Sequence, residues 1–85
     1  MEKTINCLVW VQNISRKDLE YGVGDPDLPG KLQEIMMCVL QEEPLGDLSK
    51  YLDSAIDAVK KEIPFRPGDK CERAIYLLNH LKNDG

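Results

Sequence analysis

Long hydrophobic runs are missing from this sequence. Apolar stretches such as Cys7–Val11 fall far short of the roughly 20 residues that a membrane-spanning helix needs. They are also shorter than the apolar core of a signal peptide. We therefore expect a protein that has no membrane partner and that works in the cytoplasm.

Cysteines are few, and they are far apart. Cys7, Cys38 and Cys71 are odd in number, and no two of them lie within thirty positions of each other. A disulfide scaffold of this size usually has an even and denser set. Structural zinc sites usually take their ligands in closely spaced pairs. We interpret the three residues as free thiols in a reducing cytosol, and we expect no metal and no cofactor.

Positive charge is also scarce. The chain has 11 Lys and Arg against 15 Asp and Glu, which gives a net charge of −4. Binding to DNA, RNA or anionic lipid regardless of sequence depends on clustered Lys and Arg. The balance argues against a nucleic-acid partner and is compatible with a basic protein partner. A regulatory DNA-associated domain stays open as an alternative.

The sequence is rich in amphipathic helix patterns, which occupy most of residues 28–83. Apolar residues recur there at the i, i+3, i+4, i+7 spacing of one helix face. The spacing predicts three helices at about 28–42, 48–62 and 70–83. Their apolar stripes are, in order, Leu32, Ile35, Met36, Val39 and Leu40; Leu48, Tyr51, Leu52, Ala55, Ile56 and Val59; and Cys71, Ala74, Ile75, Leu78 and Leu81.

Short breaks separate these helices and carry typical capping residues. Asp47 is placed to cap the second of them, and Asp69 with Glu72 has the spacing of a capping box before the third. Pro67 and Gly68 interrupt the chain just before that box. Connections of this length make neighbouring helices antiparallel.

The N-terminal segment, residues 4–20, is ambiguous. Ile5, Cys7 and Val9 alternate as in a strand, but no other segment offers a pairing partner, and a lone strand is marginal. A helix capped at Thr4 is therefore the preferred interpretation. In the strand alternative, the segment pairs across a homodimer.

These patterns together predict an all-α protein with a single domain, 1–85. The expected architecture is a small up-down helical bundle. It contains the helices at 28–42, 48–62 and 70–83 together with segment 4–20, and its core is formed by the apolar stripes.

Several residues remain once the stripes are assigned to the core. Met37 and Cys38 lie roughly 130° to either side of the first stripe, so they are expected to face away from the core. They are either covered by the N-terminal segment or exposed as an apolar patch that binds a partner or a second copy.

The last helix and the N-terminal segment offer a second set of candidates. Tyr76 and His80 form an i, i+4 pair opposite the stripe, accompanied by Glu72 and Arg73. Trp10 is the other large aromatic residue with a possible binding role. Tyr, Trp and Arg often supply most of the binding energy at interfaces. The alternatives are a solvated polar face for the helix and core packing for Trp10.

Acidic residues cluster in the two connections before and after the first stripe. Asp25 and Asp27 lie in the loop at about residues 21–30, and Glu42, Glu43 and Asp47 lie at the next turn. Such groups either steer a basic partner or keep a small domain soluble.

The sequence offers no catalytic arrangement. Cys71 and His80 are nine positions apart on one predicted helix, so they point in opposite directions and cannot share a metal ion or form a Cys–His pair. We therefore expect a non-enzymatic binding module, such as an inhibitor, immunity-type protein, adaptor or regulatory subunit, that acts through protein–protein contact. A homodimeric self-association protein is the first alternative.

Overall fold

The structure is a computed structural model that describes residues 2–65 and 69–84. The described residues form helices and connections and contain no strand, which confirms the predicted all-α helical bundle. The elements are α1 (Glu2–Glu20), α2 (Leu28–Gln41), a short 3₁₀ turn (Gly46–Ser49), α3 (Lys50–Glu62) and α4 (Lys70–Asp84).

The N-terminal segment is a helix, which agrees with the preferred interpretation. Helix α1 begins at Glu2, ahead of the predicted segment 4–20. It packs against each of the other three helices. The side chain of Gln12 is buried, and its Nε2 donates a hydrogen bond to the carbonyl of Pro29 over 2.9 Å, which ties α1 to the start of α2. The strand alternative, in which α1 pairs across a dimer, is therefore wrong.

The core lies where the four helices meet. Its most deeply buried side chains include Leu8 of α1, Leu32 and Ile35 of α2, Leu52 of α3 and Leu78 of α4, each with no exposed surface. Burying an aliphatic side chain of this size stabilises a fold by roughly 1.5–3 kcal/mol. The bundle therefore depends on all four helices.

The buried face of α2 differs in one respect from the predicted stripe. Leu40 was expected in the core, but 53% of its surface is exposed, whereas Leu28 is buried. Replacing Leu40 by Leu28 turns the centre of the buried face roughly 25° toward Cys38 and away from Leu40. Cys38 is consequently half-buried against the core, and the expectation that it faces away is wrong.

Two predicted caps are also wrong. Thr4 lies inside α1, which already begins at Glu2. Asp47 lies within the 3₁₀ turn, and α3 begins only at Lys50, without a side-chain cap. A 3₁₀ turn ahead of the helix supplies the first hydrogen-bonded turn that a cap would otherwise organise.

The predicted box before α4 is present only in part. Asp69 directly precedes α4, but its carboxylate pairs with Arg73 at 3.0 Å. The predicted break at Pro67 and Gly68 lies outside the described residues. Across residues 2–65 and 69–84, no helix is both long and apolar enough to cross a membrane.

Candidate functional site

An open groove of about 540 Å³ runs between α1 and α4. Two contacts define how these helices meet: the Cys7 thiol lies 3.8 Å from the carbonyl oxygen of Ala74, and Lys70 Nζ lies 4.9 Å from the centroid of the Trp10 ring. Residue numbers fall along α1 as they rise along α4, so the two helices are antiparallel here. We call this surface the α1–α4 groove.

The floor of the α1–α4 groove is apolar. It is formed by Cys7 and Trp10 from α1 and by Ala74 and Leu77 from α4. Trp10 is half-buried and packs partly against the core. One side of the ring belongs to the bundle, and another part lines the groove.

Cys7 contributes bulk to this floor and is not an activated nucleophile. Burial raises the pKa of the Cys7 thiol to about 11, because the low-dielectric surroundings disfavour the charged thiolate. Reactive cysteines need the opposite shift, toward the thiolate at neutral pH. Cys7 therefore remains a neutral thiol and behaves as a small apolar group.

The rim of the α1–α4 groove is basic. Lys3 from α1 and Lys70 and Arg73 from α4 line it, and no described lining residue carries a carboxylate. Arg73 also pairs with Asp69, which directly precedes α4, but both of these side chains are largely exposed, with exposed fractions of 77% and 67%. Such a pair contributes only about 0.2–1 kcal/mol, so it holds Arg73 loosely.

A smaller depression of about 410 Å³ adjoins the groove and shares Lys3, Arg73 and Leu77 with it. Glu72 and Tyr76 line this depression, and the Tyr76 ring stacks on His80 with a centroid distance of 5.8 Å. The face of α4 that was predicted from the sequence thus continues into the groove, and the structure joins it to Trp10.

The other candidate residues lie elsewhere. Met37 is 45% exposed on α2. Glu42, Glu43 and Asp47 are exposed at the connection between α2 and α3. None of these four residues is among the groove's lining residues.

The loop before α2 holds the last two candidates. The Asp27 backbone N–H donates to the Asp25 carboxylate over 2.9 Å, so this acidic pair stabilises its own turn. Asp25 also borders a small cavity of about 160 Å³, together with Asp18 and Asp57. A lysine, Lys61, lines the same cavity.

Apart from Ala74, which was assigned to the core, sequence reasoning missed five residues of the groove: Lys3, Asn6, Cys7, Lys70 and Leu77. Leu77 carried a usable signal, because it is an apolar residue outside the α4 stripe, as Met37 is on α2. The two lysines, Asn6 and Cys7 carried no such signal. Their role depends on the register between α1 and α4, which no local pattern encodes.

The residues considered for chemistry are kept apart. Cys71 is buried, with 2% of its surface exposed, while His80 is exposed beside Tyr76, which agrees with the predicted opposite faces. The described part of the chain has no group of three or more His, Cys, Asp or Glu placed to hold a metal ion.

No protein-family model matches the chain, and neither a curated protein nor a solved structure matches it.

Proposed function

We propose that this chain is a small non-enzymatic module that binds another protein through the surface centred on the α1–α4 groove. The observation that carries the proposal is the placement of Trp10, Arg73 and Tyr76 on one continuous surface built from two helices. These are the three residue types most enriched among residues that dominate interface energies. An inhibitor, immunity-type protein, adaptor or regulatory subunit would use such a surface.

The construction of the surface supports this function. Its residues lie on helices that are anchored in the core, so little conformational entropy is lost when a partner docks. Tyr76 is 68% exposed although it is a large aromatic residue. The raised pKa of Cys7 argues against a thiol-based reaction in the groove.

A site-specific photocrosslinking experiment tests the proposal. A photoreactive phenylalanine analogue replaces Tyr76 in one variant and Tyr21 in the other, both expressed in native cells. Tyr21 is a matched control, since it is also an exposed tyrosine, at 81%, but lies in the loop after α1. We expect a discrete protein adduct from the Tyr76 position that Arg73→Glu abolishes.

The same experiment contains the contrary outcome. Equal labelling from both positions, or a Tyr76 adduct that persists unchanged in the Arg73→Glu variant, would show that this surface does not select a partner. Thermal unfolding of each variant shows whether the bundle is intact. Arg73 is exposed, and its ion pair is weak, so the Arg73→Glu variant should fold normally.

Self-association through α2 is a second candidate function. Met37 and Leu40 are three positions apart and therefore neighbours on the helix surface, and they are 45% and 53% exposed. Light scattering across a wide concentration range tests it: the dimer must form in the parent protein and dissociate in the Met37→Glu variant. A constant monomer mass would eliminate this candidate.

A further inference from the structure

We propose that the partner presents an acidic segment to the α1–α4 groove and inserts an aromatic or branched aliphatic side chain beside Trp10. This inference rests on the proposed function, because it specifies the chemistry of the partner at the same surface. It differs from the basic partner with which the net charge and the acidic connections are compatible, since the acidic connections lie outside this groove.

Charge complementarity is the first argument. The chain carries a net charge of −4, yet the charged residues lining the α1–α4 groove are Lys3, Lys70 and Arg73. The groove is therefore a local positive region on an acidic protein. A basic segment would meet three like charges along the groove, whereas an acidic segment would meet three opposite charges.

The direction of the helices adds to this positive potential. Lys3 lies in the first turn of α1, and Lys70 is the first residue of α4. Because the helices are antiparallel, the groove lies near a helix N-terminus at each end. Helix N-termini carry partial positive charge, which favours carboxylates.

The availability of the cations is the second argument. Arg73 makes an exposed ion pair with Asp69, so a partner carboxylate can replace Asp69 at little cost. The guanidinium can also bind a carboxylate through two parallel hydrogen bonds, which adds geometric selectivity. Lys70 lies over the Trp10 ring and can tilt toward a carboxylate while its stem still covers the ring.

The apolar floor is the third argument, and it explains the need for an anchor. Carboxylates alone would bury little of the apolar surface formed by Cys7, Trp10, Ala74 and Leu77. An apolar side chain seated on it removes water from the Trp10 ring and from Leu77, at roughly 25 cal/mol for each Å² that is buried. The expected segment therefore alternates carboxylates with at least one large apolar residue.

Duplex nucleic acid fits the groove less well. It offers phosphates but no exposed apolar side chain for the floor, and its affinity depends on many cationic contacts at once. Asp69 and Glu72, which line the adjoining depression, would repel a continuous phosphate backbone. An acidic protein segment can instead place its charges only where the cations lie.

The single tryptophan makes a direct test possible. Trp10 is the only tryptophan of the chain, so its fluorescence reports on occupancy of the α1–α4 groove. The probe is a short synthetic peptide in which glutamates flank a Phe-Leu pair, with no tryptophan. Titration of the full chain should shift the Trp10 emission saturably, and the affinity should fall as salt is raised.

Two further peptides and a duplex DNA separate the contributions. One peptide replaces Phe-Leu by Ala-Ala, and the other replaces every glutamate by lysine. We expect each to bind at least about tenfold more weakly than the acidic Phe-Leu peptide, since either the anchor or the charge pairing is lost. Equal binding by the Ala-Ala peptide or the lysine peptide would overturn the inference, and so would tighter binding by duplex DNA.

Matched charge reversals on the protein complete the test. Lys70→Glu with Arg73→Glu should weaken the acidic Phe-Leu peptide at least about tenfold. Lys60→Glu with Lys61→Glu on α3 changes the net charge equally but lies outside the groove lining, so it should leave the affinity within about twofold. Circular dichroism confirms that each variant is folded. Equal losses in both double variants would overturn the inference.

Failure of this inference can be told apart from failure of the proposed function. One outcome is a Tyr76 adduct that depends on Arg73 while Trp10 fluorescence does not respond to the acidic Phe-Leu peptide up to about 1 mM. In that case the proposed binding module stands and the acidic segment is rejected. Equal labelling from Tyr76 and Tyr21, or a Tyr76 adduct that does not depend on Arg73, rejects the proposed binding module itself.

Discussion

Lys70 Nζ lies 4.9 Å from the centroid of the Trp10 ring, which joins residues 60 positions apart at the edge of the α1–α4 groove. An exposed cation–π contact of this kind contributes about 0.5–1 kcal/mol. Lys70 is also the first residue of α4, where the helix macrodipole disfavours a cation by a similar amount. The two effects on stability nearly cancel.

Lys70→Ala should therefore change the free energy of unfolding by less than about 0.5 kcal/mol. It should at the same time increase acrylamide quenching of Trp10, because the lysine stem no longer covers the ring. Lys60→Ala on α3 is the control for the fluorescence measurement and should leave acrylamide quenching of Trp10 unchanged. Unchanged quenching in the Lys70→Ala variant would show that the lysine does not shield the ring in solution.

Adjacent leucines of α4 should separate stability from binding. Leu78 has no exposed surface, so Leu78→Ala should destabilise the fold by about 2–5 kcal/mol, much of the roughly 4–13 kcal/mol expected for a chain of this length. Leu77 is half-buried in the groove floor, so Leu77→Ala should lose under about 1 kcal/mol of stability yet weaken the Tyr76-dependent adduct. Urea titrations and crosslinking measure the two effects, and similar stability losses would contradict the assignment.

Alkaline pH should act on Cys7. Burial raises the pKa of its thiol from 9.0 in the unfolded chain to about 11 in the fold. The folded state thus retains a proton that the unfolded state releases, so the contribution of Cys7 to stability is complete below pH 9 and is lost between pH 9 and 11. Urea midpoints should fall more steeply over this window in the parent protein than in Cys7→Ala.

Alkylation provides an independent measure of the same pKa. At pH 9 about 1% of Cys7 is thiolate in the fold, against about half in the unfolded chain. Iodoacetamide should therefore modify Cys7 tens of times more slowly in buffer than in urea, as followed by mass spectrometry of the Cys7 peptide. Equal rates in the two solvents would be inconsistent with burial.

Glu42 ends α2 in a left-handed conformation, with φ 56° and ψ 36°. The backbone N–H of Glu43 donates to the Cys38 carbonyl over 2.9 Å, which completes a Schellman-type end. This conformation costs a non-glycine residue about 1–2 kcal/mol. Glu42→Gly should therefore raise the free energy of unfolding by about 1 kcal/mol and Tm by roughly 4–8 °C.

Glu43→Gly is the matched control for this substitution. Glu42 is the only non-glycine residue with positive φ among those that the structure describes, so Glu43 carries no such strain. Its replacement removes the same charge but should give no stabilisation, because glycine only adds freedom to the unfolded chain. A similar rise in Tm for both variants would point to charge repulsion in the acidic turn instead of backbone strain.

The helices from α2 onward and most of their buried faces follow from local sequence patterns. The periodicity of α3 and α4 is local information, since a residue's face depends only on its neighbours three and four positions away. Leu52 and Leu78 were therefore identified as core residues without any knowledge of their contacts. The same counting separated Cys71 from His80.

Local patterns were insufficient where the outcome depended on a neighbouring helix. Leu40 has the spacing of a core residue, but the buried face of α2 is turned toward Leu28 and Cys38. The capping role of Asp47 was likewise replaced by a 3₁₀ turn that continues into α3. Tertiary packing selects among conformations that local propensity leaves close in energy.

The α1–α4 groove arises only from the packing of α1 against α4. The sequence supplied Trp10 and Arg73 as separate candidates, without a reason to place them together. Antiparallel packing of α1 on α4 brings Cys7 beside Ala74 and Trp10 beside Lys70, and this register sets an apolar floor under a basic rim. Contacts between residues so far apart in the chain depend on how whole helices pack, which short-range periodicity does not specify.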